Sequence, residues 1–284
     1  MIPAKVSEWL ETFRLQLARA DAIIPLSILG LIAGVLAALT IIALRLLVEH
    51  AQLLLYPMNH AGDFESLPWG WRLGIAMAGG LLIGLLFRLV PGSAQTVGVL
   101  HIVDRLANHQ GRLPWINAMV QFVGGAITMI AGHSVGREGP SAHLGAASSN
   151  LPAQALGLPH NSLRVLTACG AAAGIAASFN TPLAGAVFAM EVLMLEYTVA
   201  GFTPVILATV SATAISQLVL GDTLTFNVPE LGFASVAQFP YILVCGILIG
   251  LLAAVFNSLF HQVVVQSRTL PDWSRPVMAG LLVG

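Results

Sequence analysis

Charged residues are scarce in this sequence, and their scarcity excludes most classes of soluble protein. Only 9% of the 284 residues are charged, against 57% hydrophobic residues and a mean hydropathy of +0.85. A soluble domain carries about 25% charge, so water is not the main solvent of this chain. Lys5 is the single lysine, and a net charge of −1 leaves no basic stripe for nucleic-acid phosphates. The two cysteines, Cys169 and Cys245, lie in apolar runs and are predicted to be buried thiols.

Residues 1–21 also lack an apolar core, so the sequence predicts no cleavable signal peptide. Charged side chains are spread through this segment, while its apolar residues recur at helical spacing: Val6, Trp9, Leu10, Phe13 and Leu17. We predict that residues 1–21 form a short amphipathic helix on the membrane face. A frayed N-terminal tail is the alternative.

Long apolar runs occupy most of the remaining sequence. They cover residues 22–48, 73–90, 115–135, 163–195, 203–220 and 236–266. Their lengths depart from the roughly 20 residues of a simple span, and Gly and Pro interrupt them, as at Pro91, Pro182 and Pro204. Such runs predict an all-α, polytopic membrane protein. Several of its helices should be tilted or broken within the bilayer, where irregular backbone lines a cavity or is buried in protein.

Two loops indicate the orientation of the chain. Segment 49–71 holds acidic residues and no Lys or Arg, whereas segment 88–114 holds arginines at 88, 105 and 112 against a single aspartate. Because basic loops stay in the cytoplasm, we predict a multi-pass protein of the cell membrane with a cytoplasmic N-terminus.

Residues 275–284 begin an apolar run that nothing terminates, so the chain is expected to be a fragment of a longer polypeptide.

The most informative ionisable residues are Arg137 and Glu138, which stand between two glycines in an apolar protein. Ionisable groups at membrane depth are costly and functional by default. Gly136 and Gly139 allow successive N–H groups to point at one ligand, and Pro140 suits the first turn of a following helix, whose N-terminus adds positive charge. These features favour an anion site with Glu138 as a tethered, competing anion, which is a gate. The five residues alone are equally compatible with a solvated surface turn.

This interpretation makes two structural predictions. Residues 136–139 should form a non-helical loop at membrane depth, with helix resuming at or just after Pro140. Glu138 should face a cavity, because a carboxylate in lipid costs at least about 2.5 kcal/mol.

A second stretch, residues 170–185, is dense in the small residues that let membrane helices pack closely. Proline disfavours helix in the residue before it, so the run should break at residues 180–182. A second helix should then follow and end near Glu191.

The two stretches together resemble the CLC family of chloride channels and chloride/proton antiporters. The matching residues are Gly-Arg-Glu-Gly-Pro at 136–140 and Ala-Ala-Gly-Ile-Ala-Ala-Ser-Phe-Asn-Thr-Pro-Leu-Ala-Gly-Ala-Val-Phe at 172–188. The resemblance implies a homodimer with one anion pathway in each subunit, and two inverted repeats per subunit. Residues 22–235 would form the first membrane repeat, and residues 236–284 the truncated start of the second. The family's later Gly-x-Phe-x-Pro loop and pore tyrosine do not occur in this sequence.

The resemblance also assigns roles to residues. It implies that Glu138 is the gating glutamate and that Gly136, Arg137 and Gly139 belong to the anion-binding loop. The family's Gly-Ser-Gly-Ile-Pro loop, whose serine contacts chloride, matches residues 96–100 here. Val97 then takes the place of the serine, and Ser93 is the candidate in a second register.

A further departure concerns proton coupling. Antiporters of the family often carry a second glutamate directly after the one that matches Glu191, where this sequence has Val192, as many channel members do. We therefore predict weak or no proton coupling. Glu191 stays a candidate for a proton path, and a helix-end acid is the alternative.

The predicted function is transport of an inorganic anion, chloride foremost, through a glutamate-gated pathway such as a voltage- or pH-gated channel. A chloride/proton antiporter and a fluoride-selective relative are the alternatives. The anion, membrane lipid and a second copy of the chain are the predicted partners, with no cofactor, metal or nucleic acid. An intramembrane enzyme is disfavoured because no His-Glu-x-x-His or Gly-x-Ser-x-Gly motif occurs; a non-transporting scaffold is the third class. The eight histidines show no ligand spacing and are predicted to be structural.

Overall fold

A computed structural model describes residues 11–12, 14–17, 22–195, 198–221, 239–267, 269–271 and 274–283. Among these residues the protein is helical, with no β-strand. The helices are α1 (Ile23–Leu55), α2 (Trp69–Leu89), α3 (Gly98–Asn108), α4 (Trp115–Ile130), α5 (Glu138–Ala155), α6 (His160–Phe179), α7 (Pro182–Phe188), α8 (Val199–Leu220), α9 (Phe239–Ser267) and α10 (Ser274–Val283). Short 3₁₀ turns cover Phe64–Ser66 and Gly92–Ala94, and a π-helical segment covers Ala189–Met194.

The helices differ widely in length, as the interrupted apolar runs predict. Within the described part of the chain, α1, α2, α6, α8 and α9 are long and apolar enough to cross a membrane. Two apolar elements are shorter, namely α4 and the segment Pro182–Met194. An all-α, polytopic membrane fold with helices of unequal length is therefore confirmed.

Helix α6 forms the centre of the packing, in contact with α1, α5, α7 and α8. It crosses α5 at glycines, namely Gly145 in α5 and Gly170 and Gly174 in α6. A Cβ at Gly145 would clash with the carbonyl of Gly170, and a Cβ at Gly174 would clash with the carbonyl of Ser141. The small residues of the 170–185 stretch thus bring the two helices into backbone contact, the usual role of small residues between membrane helices. This crossing fixes the position of α5.

The predicted break in the second stretch is confirmed. Helix α6 ends at Phe179, and Asn180 adopts the left-handed conformation, with φ +57°. The side chain of Gln217 in α8 donates to Asn180 Oδ1 over 2.7 Å. Helix α7 then begins at Pro182. The first N–H of a helix has no intrahelical acceptor, so proline costs no hydrogen bond at this position. It passes into the π-helical segment, so Glu191 lies inside a helical turn and not at its end.

Pro204 does not interrupt its helix, contrary to the sequence-based expectation. It lies inside the continuous helix α8, where one hydrogen bond is lost. The carbonyl of Pro204 packs against Gly30 of α1, at a point where a Cβ would meet it. Close neighbouring helices are what make proline tolerable inside membrane spans.

Helix α9 stands apart from the packed helices. None of its described residues is buried, whereas α10 packs against α2. The two cysteines differ accordingly: Cys169 in α6 is buried as predicted, and Cys245 in α9 is exposed, which corrects the prediction. An apolar run predicts burial in lipid or in protein, and it does not predict which.

Only part of the predicted N-terminal amphipathic helix lies within the described residues. Residues 11–12 and 14–17 are helical, and the rest of segment 1–21 lies outside the described residues. Leu17 is buried, and the Arg14 guanidinium donates from Nε and Nη2 to the Leu156 carbonyl at 3.0 and 2.7 Å. A cation on a C-terminal carbonyl is favourable for α5, so this segment is bonded to the end of that helix.

Candidate anion site

The loop between α4 and α5 is fixed before it reaches the predicted anion motif. His133 Nε2 lies 3.0 Å from the carbonyl oxygen of Ala76 in α2. The His133 N–H donates to the Thr128 carbonyl over 3.0 Å. Gly132 turns the chain with φ +67°, and the Phe64 ring occupies the space that a Cβ would need. The loop is therefore held from both α2 and α4.

The backbone N–H groups of residues 136–139 donate to no other described residue. The first hydrogen bond of α5 runs from the Ser141 N–H to the Arg137 carbonyl, over 2.9 Å. The first N–H groups of a helix have no intrahelical acceptor, and the helix dipole places about half a positive charge there. This end of α5 can therefore bind an anion through its backbone.

Helix α5 begins earlier than the sequence predicts. Its first helical residue is Glu138, and Arg137 is the N-cap, with φ −82° and ψ −14°. The expected non-helical loop over residues 136–139 is therefore wrong for its last two residues. Pro140 is the third residue of the helix. An N–H in the first turn has no intrahelical acceptor, so proline costs no hydrogen bond there. A proline therefore indicates that a helix has begun nearby, without identifying its first residue.

The carboxylate of Glu138 folds back over the backbone of Gly136. A Cβ at Gly136 would collide with Glu138 Oε2, so the carboxylate occupies space that only glycine leaves open. Glu138 is exposed, and the cavity beside the loop is lined by Arg137 and Ser141 instead. Those two residues are four positions apart and share a helix face, whereas one position turns the side chain by about 100°. The expectation that Glu138 faces a cavity is not met at this cavity.

The cavity next to the loop has a volume of about 310 Å³ and lies against α1. Its polar lining includes the Arg45–Glu49 ion pair, in which Nε and Oε1 are 2.6 Å apart. Arg137 also lines it and makes no hydrogen bond or ion pair with the other described residues. A neutral pair and one unpaired guanidinium leave this cavity with net positive charge beside the loop.

The second predicted anion element lies at the start of α3. Val97 is its half-buried N-cap in extended conformation, with φ −140° and ψ 176°. Gly98 follows with φ +80°, which other residues rarely adopt. Ser93, the alternative candidate, is exposed in the preceding 3₁₀ turn. The structure thus places Val97, and not Ser93, at a helix N-terminus comparable with that of α5.

Two amides that sequence reasoning missed fix this second loop. The Asn117 side chain in α4 is 3% exposed and donates to the carbonyls of Ser93 and Thr96, at 3.1 and 2.8 Å. Gln95 Nε2 donates to the carbonyls of Phe87 and Val90, at 2.7 and 3.1 Å. An amide inside the apolar run 115–135 indicates a buried hydrogen bond, because a buried amide needs a partner.

The starts of α3 and α5 are joined by a pair of histidines. His101 Nδ1 and His143 Nε2 lie 2.9 Å apart, with both rings buried. Neither residue was predicted to have a specific partner, because they are separated by 42 positions. The pair brings the two predicted anion elements together near the N-terminal ends of their helices.

The candidate proton path is less well defined. Glu191 and Val192 are neighbours in the π-helical segment, and both are exposed. This segment packs against α3. Glu191 therefore lies on an element that contacts α3, the helix that begins at the second predicted anion element.

A family model for the voltage-gated chloride channels matches residues 79–284, which is more than half of the chain. The chain belongs to the CLC family. The predicted resemblance is confirmed, and with it the general class of a multi-pass membrane protein.

Several CLC proteins are similar to this chain. It is 30% identical over 267 residues to a ClcB-like protein of Ralstonia nicotianae, covering 91% of this chain and 62% of that protein. It is 30% identical over 272 residues to the voltage-gated ClC-type chloride channel ClcB of Escherichia coli, covering 90% and 63%. Chloride channel protein CLC-f of Arabidopsis thaliana is 32% identical over 205 residues, or 67% of this chain and 25% of that protein.

Solved CLC structures share the fold. A slow cyanobacterial Cl⁻/H⁺ antiporter superimposes with a TM-score of 0.71 at 23% identity, over 92% of this chain and 63% of that one. A CLC-type fluoride/proton antiporter gives a TM-score of 0.74 at 25% identity, over 94% and 65%. The chain thus spans less than two thirds of the length of these CLC relatives.

Proposed function

We propose that this CLC protein moves a small inorganic anion, chloride foremost, through a pathway that Glu138 gates. The proposal depends on one observation: the N–H groups of residues 136–139 have no acceptor among the described residues, and the Glu138 carboxylate folds over the backbone of Gly136. A carboxylate at a backbone anion site competes with a diffusing anion for the same donors. Protonation of Glu138 removes that competition, so opening should increase as the pH falls.

The coupling we propose is weak or absent. Val192 cannot bind a proton. The side chain of Glu191, one position earlier in a helical segment, points about 100° away from that of Val192. A chloride/proton antiporter is the second candidate, favoured by the structural neighbours, one described as a Cl⁻/H⁺ antiporter and one as a fluoride/proton antiporter. The latter also keeps fluoride as an alternative anion. None of these candidates requires an enzymatic activity or a cofactor.

The proposed working assembly is a homodimer in the cell membrane with a cytoplasmic N-terminus. The arginines of segment 88–114, set against the acidic segment 49–71, support this orientation. Exposed apolar side chains on α7 and α8, including Leu183 and Leu218, provide surface for lipid or for a second copy. The division into a first repeat at 22–235 and the start of a second at 236–284 is part of the same proposal.

Flux through proteoliposomes tests the function. The full chain is reconstituted with a chloride gradient, chloride efflux is recorded, and internal pH is followed with a dye. We expect efflux that rises with acidity, without sustained uphill proton movement. Glu138→Gln should keep the flux and lose most of its pH dependence. Glu65→Gln, which changes an exposed glutamate outside the loop, is the matched control.

The alternatives give different results in the same assay. Proton pumping at a fixed chloride-to-proton ratio would establish the antiporter and assign the inner proton station to Glu191 or water. Fluoride efflux that greatly exceeds chloride efflux would indicate the fluoride-selective alternative. No anion flux of any kind would refute the proposed function and favour a scaffold.

A further inference from the structure

The histidine pair between α3 and α5 is buried and incompletely satisfied. His101 and His143 are 6% and 1% exposed, and their ring centroids are 5.1 Å apart. One ring nitrogen of each faces the other at 2.9 Å. The remaining nitrogen of His143, Nδ1, is buried and has no hydrogen-bond partner among the described residues.

This geometry leaves room for one more proton. A neutral imidazole has one N–H and one bare nitrogen, so the 2.9 Å contact is an N–H···N bond in which one ring donates. When His143 donates through Nε2, its Nδ1 is a buried lone pair without a donor. A proton that binds there makes His143 an imidazolium and leaves the N–H···N bond intact. That bond becomes charge-assisted and therefore stronger.

The pair lies directly behind both predicted anion elements. His101 is three residues after Gly98, the first residue of α3, and His143 is five residues after Glu138, the first residue of α5. At 1.5 Å per residue these are about 4.5 and 7.5 Å along the helix axes. Both N-termini carry partial positive charge already. An imidazolium between them adds a full charge of the same sign.

The pair binds a proton only in strong acid. Burial, and after it the neighbouring His101, lower the pKa of His143 to about 3. Burial also lowers the pKa of His101, Arg105 and His109 lower it too, and Asp104 raises it. The other titratable groups on α1, α5, α6 and the π-helical segment, the elements that pack against α3 and α5, are Arg45, Glu49, His50, Glu138, His160, Arg164, Cys169 and Glu191. Helix α4 contributes none. Glu138 is the acid at the site itself, and its own protonation must be separated from that of the pair.

We propose that His101 and His143 form a buried proton-binding site whose protonation strengthens anion binding at the N-termini of α3 and α5. The proposal rests on the proposed anion transport and adds a second pH sensor to Glu138. It also gives the protein interior an ionisable group, which the valine at position 192 cannot supply. The pair acts on the anion through charge and through the two helices, without contacting it.

The test is made in a Glu138→Gln background, where the gate no longer titrates. Chloride efflux from proteoliposomes of the full chain is measured from neutral pH down to about pH 3, because the pKa of His143 is lowered to about 3. We expect a residual rise on acidification on the order of tenfold, since a unit charge roughly 8 Å away acts at an effective dielectric constant of about 20. Adding His143→Gln or His101→Gln should abolish that rise. His50→Gln, an exposed histidine of α1 bonded to the Leu46 carbonyl, should not.

A second measurement does not depend on flux or on a variant that folds. Solid-state NMR of ¹⁵N-histidine in the membrane-reconstituted chain detects the coupling between the two ring nitrogens and the imidazolium shift. The pair should gain an imidazolium signal on acidification. A pair that stays neutral over the same range overturns the proposal, and so does a residual pH dependence that both histidine variants leave unchanged. Loss of all anion flux, with the pair still titrating, would refute the transport proposal and not the proton site.

Discussion

Replacing Gly174 by alanine tests how firmly α5 is locked to α6. A Cβ at this position would clash with the carbonyl oxygen of Ser141, and the neighbouring contact between Gly145 and Gly170 is equally close. The obstructing atoms belong to the backbone, so no side-chain rotation can relieve the clash. The two helices must move apart at their crossing.

The expected destabilisation follows from two opposing terms. Overpacking of a close interface costs about 1–3 kcal/mol. Alanine in place of glycine inside a helix recovers about 0.5–1 kcal/mol. The net loss is roughly 1–2 kcal/mol, which lowers Tm by about 2–8 °C for a chain of this size. Gly74→Ala in α2 is the matched control, because no atom lies within 4 Å of its Cβ position, and it should leave Tm unchanged or slightly higher.

The structure supplies its own reporter for this experiment. Cys169 is fully buried beside the crossing and Cys245 is exposed. In a Cys245→Ser background, a thiol-reactive fluorescent dye therefore reports on heating when α6 becomes accessible. Gly174→Ala should label at lower temperature than the parent. A variant that labels at the same temperature as Gly74→Ala would refute the backbone-contact argument.

Three further predictions concern the candidate anion site. Gly136→Ala should displace the Glu138 carboxylate from the loop and raise chloride efflux at neutral pH severalfold; unchanged efflux would contradict the carboxylate's position over the loop. Asn117→Leu should leave two loop carbonyls without their donor, at about 1–3 kcal/mol, which lowers both Tm and chloride affinity in equilibrium binding; normal values of both would show that the amide does not hold the loop. Val192→Glu should add proton movement to chloride flux in the internal-pH assay, and its absence would argue against a proton station at this position.

The sequence predicted what depends on local chemistry. The apolar runs found α1, α2, α8 and α9, and the Asn180–Pro182 break lies where proline and a left-handed asparagine require it. Helix α5 belongs to none of the apolar runs, because its residues are mainly Gly, Ala, Ser and Pro. Its start was misplaced by two residues since proline is accepted throughout the first turn of a helix.

Contacts between distant residues could not be predicted in the same way. The bond between His101 and His143 depends on how α3 crosses α5, and the bonds from Asn117 depend on how α4 passes the loop before α3. Each requires the tertiary arrangement before the pairing is visible. A buried amide or imidazole in an apolar run indicates that some partner exists, without identifying it.

The backbone contact between α5 and α6 has a consequence for how a gate can open. Moving α5 as a rigid body would break the crossing at Gly145 and Gly174, where no side chain is available to adjust. Rotating the Glu138 side chain disturbs none of those contacts, because its carboxylate lies over Gly136 at the free end of the helix. Side-chain rotation takes place in picoseconds to nanoseconds, whereas collective helix motions take microseconds to milliseconds. The proposed gate at Glu138 therefore needs only the rotation of one side chain, and not a movement of the helices.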